Sequence, residues 1–388
     1  MICASEAKMV KLNKIKRLST FAGLIAISFL LLACSKQDTH SRGSVKTING
    51  VVLVNNSLVP LYADPCFRLE KEIQFGETDT LSKISYAVDE DENLFLLDRV
   101  NNEIRIYNKQ GVLLTTFGKK GQGPGELEMP VSLQVSGQGE IMIREAANPC
   151  LKIYSQTGKY LRKESLFKVE AMILSITKAR NGDYIMLLSY NPWKTELRRY
   201  DQELNASRII LKRTYEPKPQ GQVDLSRPDI NYAVDKDSNV ICGTWDRYEL
   251  FVSNPEGKVI KKITKSQIDK PYPEYERKRV LDLMQSSLWF RNQKIIFPKY
   301  QPAFTEIIAA DDGKLYALVY GPKDMNILEI FDKDGFYLGN AQINHRLSEI
   351  VIKNNKLYGI EYNDEDYAIV KRYEMIWNFQ ASNRKIIL

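Results

Sequence analysis

Histidine is almost missing from this sequence: there are two, His40 and His345. That scarcity argues against a zinc centre built from several imidazoles. It leaves a Ser-His-Asp triad only if His345 serves alone. No GxSxG nucleophile turn occurs. Gly118–Gly125 is glycine-rich but lacks the Lys-Ser/Thr of a phosphate loop, so it reads as a link between repeats. Cysteine is scarce too. Beyond Cys3 and Cys34, only Cys66, Cys150 and Cys242 remain. They are odd in number and far apart, which excludes a disulfide framework and a CxxC metal knuckle. At most one bridge is expected, and buried free thiols in strands are the simpler reading. After residue 33 no apolar run is long enough to span a bilayer.

An excess of charge is also largely missing once the leader is set aside. Residues 1–33 carry Lys8, Lys11, Lys14, Lys16 and Arg17 against Glu6, which is +4 of the +7 total and leaves about +3 for the rest. Those remaining charges are interspersed, so nucleic acid is excluded as a partner. The leader itself has a basic start and an apolar stretch, Phe21–Ala33, too short to cross a membrane comfortably. Leu31-Leu32-Ala33-Cys34 resembles the lipobox of bacterial lipoproteins. That resemblance implies cleavage before Cys34, a diacylglyceryl thioether on its sulfur, and contact with the membrane through the lipid alone. The alternative is an ordinary secretory signal with a coincidental cysteine. Residues 1–33 are therefore read as a signal peptide, 34–44 as a polar tether and 45–388 as the folded body.

What the body does have is strand-forming residues, with 21 Tyr and 14 Phe, in a repeating order. In Leu81–Gly125 four short apolar segments are separated by turns at Asp89–Asn93, Arg99–Asn102 and Asn108–Gly111. The first of these turns recurs at Gly137–Glu140, Asn181–Asp183, Asp235–Asn239, Asp311–Lys314 and Lys353–Lys356. Each is followed by an apolar strand and then by a third strand, ending at Tyr107, Tyr154, Tyr200, Val252, Phe331 or Tyr373. Six copies at the spacing of propeller blades predict an all-β fold: a six-bladed β-propeller of four-stranded antiparallel blades. The sixth copy lacks an outer strand, while Phe67–Phe75 precedes the first blade without one of its own. That strand is expected to close the ring beside 347–374 and remove two exposed edges. Val45–Val54 is strand-like, with a turn at Asn49-Gly50.

Gly121-Gln122-Gly123-Pro124-Gly125-Glu126-Leu127, followed by Pro130 and a strand, resembles the NHL-type repeat. Together with the lipobox and tether, the chain resembles the six-bladed β-propeller lipoproteins of Gram-negative gut bacteria. The resemblance implies the fold and a lipid-anchored place in the cell envelope, at the outer membrane. It implies no activity.

The blade topology puts the second-to-third-strand loops and the blade-to-blade links on one face. Binding surfaces commonly sit on such loops. Trp193, Trp245 and Trp289 fall there, with Tyr190, Tyr320, Tyr362 and Arg99, and are read as candidate ligand contacts for a glycan, a peptide or an envelope protein. The plainer alternative is that the aromatics cap blade packing. The insertion 266–302 is partly helical over Pro273–Phe290, either a lid on the channel mouth or a rim helix. Asp98, Glu145 and Glu361 occupy equivalent strand ends in neighbouring blades. They would suit a hard cation such as calcium, with a metal-dependent hydrolase or lactonase-like enzyme as the alternative to a binding module. Ion pairing with Arg99, Arg105 or Arg144 is the plainer reading of the same carboxylates.

Overall fold

The computed structural model describes residues 43–62, 65–74, 84–227, 229–287, 290–323, 325–363 and 367–377. The signal segment, Cys34, most of the tether and Trp289 lie outside them. The strands form six antiparallel four-stranded blades in simple meander order. Blade 1 is Ile84–Val88, Leu94–Asp98, Glu103–Tyr107 and Leu113–Phe117. Blades 2 to 5 begin at Pro130, Met172, Ile230 and Glu306 and end at Ser165, Thr214, Lys265 and Ile343. Blade 6 comprises Ser348–Lys353, Lys356–Tyr362 and Ala368–Ile376, completed by Cys66–Gln74.

Burial in blade 1 explains why no blade stands alone. The second strand is buried at every residue, whereas the outer strand is mostly exposed. The second strand is covered on both faces by neighbouring blades, so it reads as a continuous apolar run rather than an alternation. The core is accordingly divided into six wedges, one between each pair of neighbours. One example joins Tyr86 and Leu96 of blade 1 to Tyr358 and Val370 of blade 6. The others lie between blades 1 and 2, 2 and 3, 3 and 4, 4 and 5, and 5 and 6.

The turns repeat because one local device repeats. Asp89 Oδ1 accepts the N–H groups of Asp91 and Asn93, and Glu92 takes φ 66°. Asp235 does the same with Asp237 and Asn239. Asn108, Asp201 and Asp332 hold the third-to-fourth-strand turns in the same way. A short acceptor side chain followed by a residue that tolerates the left-handed region is what this turn needs.

Ring closure is as expected: Cys66–Gln74 runs antiparallel to Ala368–Ile376, with Ile376 opposite Cys66 and Ile369 opposite Gln74. The hairpin Ser44–Ile48/Val51–Asn56 turns at Asn49-Gly50 as read, but its location was not foreseen. Val51–Asn56 pairs in parallel with Val259–Lys265, so blade 4 has six strands. Asn56 then reaches blade 5. Its Nδ2 donates to the carbonyls of Thr264 (3.1 Å) and Gly335 (2.9 Å), and its Oδ1 accepts from Tyr337 N–H (2.8 Å). Leu61 and Tyr62 bond to the backbone of Tyr337 and Leu338. The N-terminal segment is thus a strap across blades 4, 5 and 6.

The insertion's helix is Glu274–Ser286, shorter than the sequence suggested. A second small pairing, Gln222–Asp224 parallel to Lys294–Ile296, ties the insertion to the link between blades 3 and 4. Among the described residues no helix is long and apolar enough to cross a membrane. Cys66, Cys150 and Cys242 are free thiols. Cys66 is exposed, against the expectation of burial; Cys150 and Cys242 are buried, which pushes their thiols up to about 11 and about 12.

Candidate functional site

The first strands of the blades lie innermost and pack on one another around the axis. Each runs from a link to a turn, so the channel has a link-bearing mouth and a turn-bearing mouth. The turn-bearing mouth is a depression of about 490 Å³ to which every blade contributes, through Asp89, Ser136, Lys178, Asp235, Ala310 and Lys353. Several of its charges are paired with one another. Arg180 of blade 3 pairs with Glu90 of blade 1 at 3.0 Å, Lys353 of blade 6 approaches the same carboxylate, and Lys178 approaches Glu140. Asn354 Nδ2 donates to the Glu90 carbonyl. These contacts tie the blades together across this mouth.

The link-bearing mouth is built differently. Trp245 and Tyr320 come together there with Tyr272 of the insertion around a cleft of about 310 Å³, floored by Phe304 and bordered by Asp229 and Asn231. Tyr272 and Tyr320 meet edge to face at 5.9 Å, with their hydroxyls 3.5 Å apart. The helix stands beside them as a wall: Tyr275 Oη donates to Gly321 O, and buried Glu276 is held by Arg279 and Arg346. An adjoining cleft of about 550 Å³ runs along the helix past Val280 and Met284. The helix therefore borders the mouth and is anchored on blade 5 and on the link to blade 6.

The other predicted aromatics disperse. Trp193 sits at the blade 3 loop, with the Arg227 guanidinium 5.7 Å from its ring and equally far from Tyr215. Tyr190 packs among the residues between blades 2 and 3 under Lys194, whose ammonium is 3.9 Å from the ring. Tyr362 is exposed at blade 6. Of the aromatics proposed as one surface, two share a cleft.

The proposed cation site does not assemble. Among the described residues no group of three or more His, Cys, Asp or Glu is arranged to hold a metal. Asp98 caps its own loop, accepting from Val100 N, Asn101 N and Asn101 Nδ2. Glu145 is buried with Lys152 at 3.2 Å and accepts from Glu128 N at 2.6 Å. Glu361 is held by Lys371 and by His345 Nδ1 at 3.0 Å, and these contacts keep its carboxyl below the usual range despite desolvation. Each oxygen is used within or beside its own blade, so the equivalence in sequence reflects equivalent structural roles.

The channel wall carries a charged cluster that sequence reasoning missed. Glu306 begins the first strand of blade 5, and Glu349 lies in the first strand of blade 6, both near the link-bearing mouth. Burial, and then the neighbouring Glu349, pushes Glu306 up to about 7. Glu349 is exposed to the channel, and desolvation there raises its carboxyl as well, offset in part by Arg99. Tyr86 Oη donates to the Glu349 carbonyl at 2.6 Å. Arg99 and Arg144 enter from blades 1 and 2. Tyr232 reaches across to Ser175 (3.1 Å) and Thr177 (3.2 Å). No spacing in the sequence signals this cluster, because its members come from all six blades and meet only at the axis.

Residues 76–210 match a family model described as a 6-bladed beta-propeller (DUF5128). The chain is a six-bladed β-propeller. A solved structure of a DUF4221 family member from Bacteroides vulgatus superposes with a TM-score of 0.55 at 12% identity, covering 80% of this chain and 98% of that one. A candidate exported protein from Bacteroides fragilis gives 0.50 at 15% identity, covering 84% and 100%. At such identities the likeness concerns the propeller fold alone. No curated protein matches the sequence.

Proposed function

We propose that this propeller is a lipid-anchored binding module of the cell envelope, held at the outer membrane through Cys34, which takes a glycan at its link-bearing mouth. The observation that carries the reading is the cleft where Trp245, Tyr272 and Tyr320 converge beside the channel. A concave site lined by aromatics with a few polar groups at its edge is the usual form of a small-ligand site. Flat aromatic faces also suit the apolar faces of sugar rings. The rigid blades hold two walls in place, and the insertion supplies the third. The turn-bearing mouth is larger than this cleft, but Arg180, Lys353 and Lys178 there already have acidic partners and, among the described residues, no aromatic side chain lines it.

A glycan array probed with the soluble protein lacking residues 1–34 tests the reading. Trp245→Ala and Tyr320→Ala are expected to weaken binding by about tenfold or more, as loss of a central aromatic contact does. Binding unchanged in both variants would remove the cleft from consideration. Anchoring is tested separately: Cys34→Ala should move the protein from the membrane to the soluble fraction.

A further inference from the structure

We infer that Arg99 and Arg144 recognise a carboxylate on the bound glycan, so that the ligand class is an oligosaccharide bearing a uronic acid; this rests on the binding function proposed above. Arg99 follows the second strand of blade 1 and is exposed; Arg144 lies near the end of the second strand of blade 2 and is half-buried. Neither has a carboxylate within ion-pair distance among the described residues. Arg99 makes no hydrogen bond there, and Arg144 makes one, from Nη1 to Ile173 O at 3.3 Å. The Arg144 Nε is buried without a partner.

Two guanidinium groups brought close enough to feel each other, with a buried donor unused, are unfavourable by themselves. Burial and the charge of Arg99 both make the Arg144 cation harder to keep. An anion placed between them reverses that cost. The planar guanidinium fork matches a carboxylate geometrically, with two parallel hydrogen bonds per pair. At the opposite mouth the comparable cations, Arg180 and Lys353, already share Glu90. The channel's other wall decides which anion. Glu349 lies within electrostatic reach of Arg99, and Glu306 stands beside it. A doubly charged phosphate would be repelled there. A singly charged carboxylate on a hydroxylated ring would turn its hydroxyls toward these two carboxyl groups. The aromatic cleft and the two arginines share the link-bearing mouth, since Arg99, Arg144, Trp245 and Tyr320 all stand at or beside the end of a second strand. A carboxylated sugar therefore offers its carboxylate to the arginines, its hydroxyls to the two carboxyl groups and its ring faces to the aromatic cleft.

The test is calorimetric titration of the soluble protein with a panel of uronate-bearing oligosaccharides, each beside its carboxyl-reduced neutral counterpart. At least one uronate is expected to bind about tenfold or more tightly than its neutral form. Arg99→Gln should erase that preference, and Arg144→Gln should do the same. Because Arg99 is exposed, its variant folds even if the Arg144 variant does not, and thermal melts confirm which proteins are folded. Binding of no uronate, or a preference that survives Arg99→Gln, would overturn the inference. Equal binding of neutral and acidic sugars that still depends on Trp245 would overturn it while leaving the cleft's function standing. Binding of a peptide with a free C-terminus in place of any sugar would overturn both the carboxylate-sugar assignment and the glycan reading.

Discussion

Glu306 shows how a single side chain reports on the architecture. In water its carboxyl would lose its proton near 4.5, but on the channel wall it is held up to about 7. Solvation by a narrow channel is poorer than by bulk water, and Glu349 adds a like charge. A raised value means the folded protein binds this proton more tightly than the unfolded chain does. No difference in stability arises below about pH 4, where both states are protonated. Between roughly 4.5 and 7 stability falls as pH rises, and above that window the cost is constant. Glu306→Gln removes the cost. The melting temperature of the variant should exceed that of the native protein at pH 8 and equal it at pH 4. A variant less stable than the native protein at pH 8 would show that the carboxylate is paired, not isolated.

At the scale of elements, the strap formed by residues 44–74 does what a closing strand does and more. Cys66–Gln74 completes blade 6, as its alternation and the missing outer strand both foretold. The placement of Val51–Asn56 on blade 4 was not legible, because a parallel edge addition needs no turn and leaves no spacing to read. Asn56 is the clearest consequence. Its side chain supplies the acceptor for the buried Tyr337 N–H and donates to two carbonyls. Asn56→Ala is expected to cost about 1–3 kcal/mol, the penalty for a buried group left without its partner. Urea denaturation measures it, and a change below a few tenths would mean that water replaces the side chain. The repeat turns were readable for the opposite reason. Asp89, Asp201, Asp235 and Asp332 each fix their own turn through local hydrogen bonds, so the signal lies within five residues. Asp98, Glu145 and Glu361 illustrate the limit of that reading. Their shared position is real, but their oxygens go to loop N–H groups and neighbouring cations, which sequence position does not reveal.

For the whole molecule, six sheets in a ring give one axis with two unlike ends. The turn-bearing end is tied across by Arg180, Glu90 and Lys353. The link-bearing end gathers the insertion, the aromatics Trp245, Tyr272 and Tyr320, and two arginines, Arg99 and Arg144, with no ion-pair partner among the described residues. The fold was visible in periodicity, since each blade repeats the same turns. The site was visible only in part, through Arg99, Trp245 and Tyr320. Its remaining members, Tyr272, Arg144, Glu306 and Glu349, converge from separate blades and the insertion. The asymmetry of the two ends is the central claim, and deuterium exchange with and without a bound glycan tests it most directly. Protection is predicted at 229–232, 244–246, 271–276 and 319–321, with the turns at 89–93, 136–139 and 235–239 unchanged. Protection confined to those turns would contradict the account.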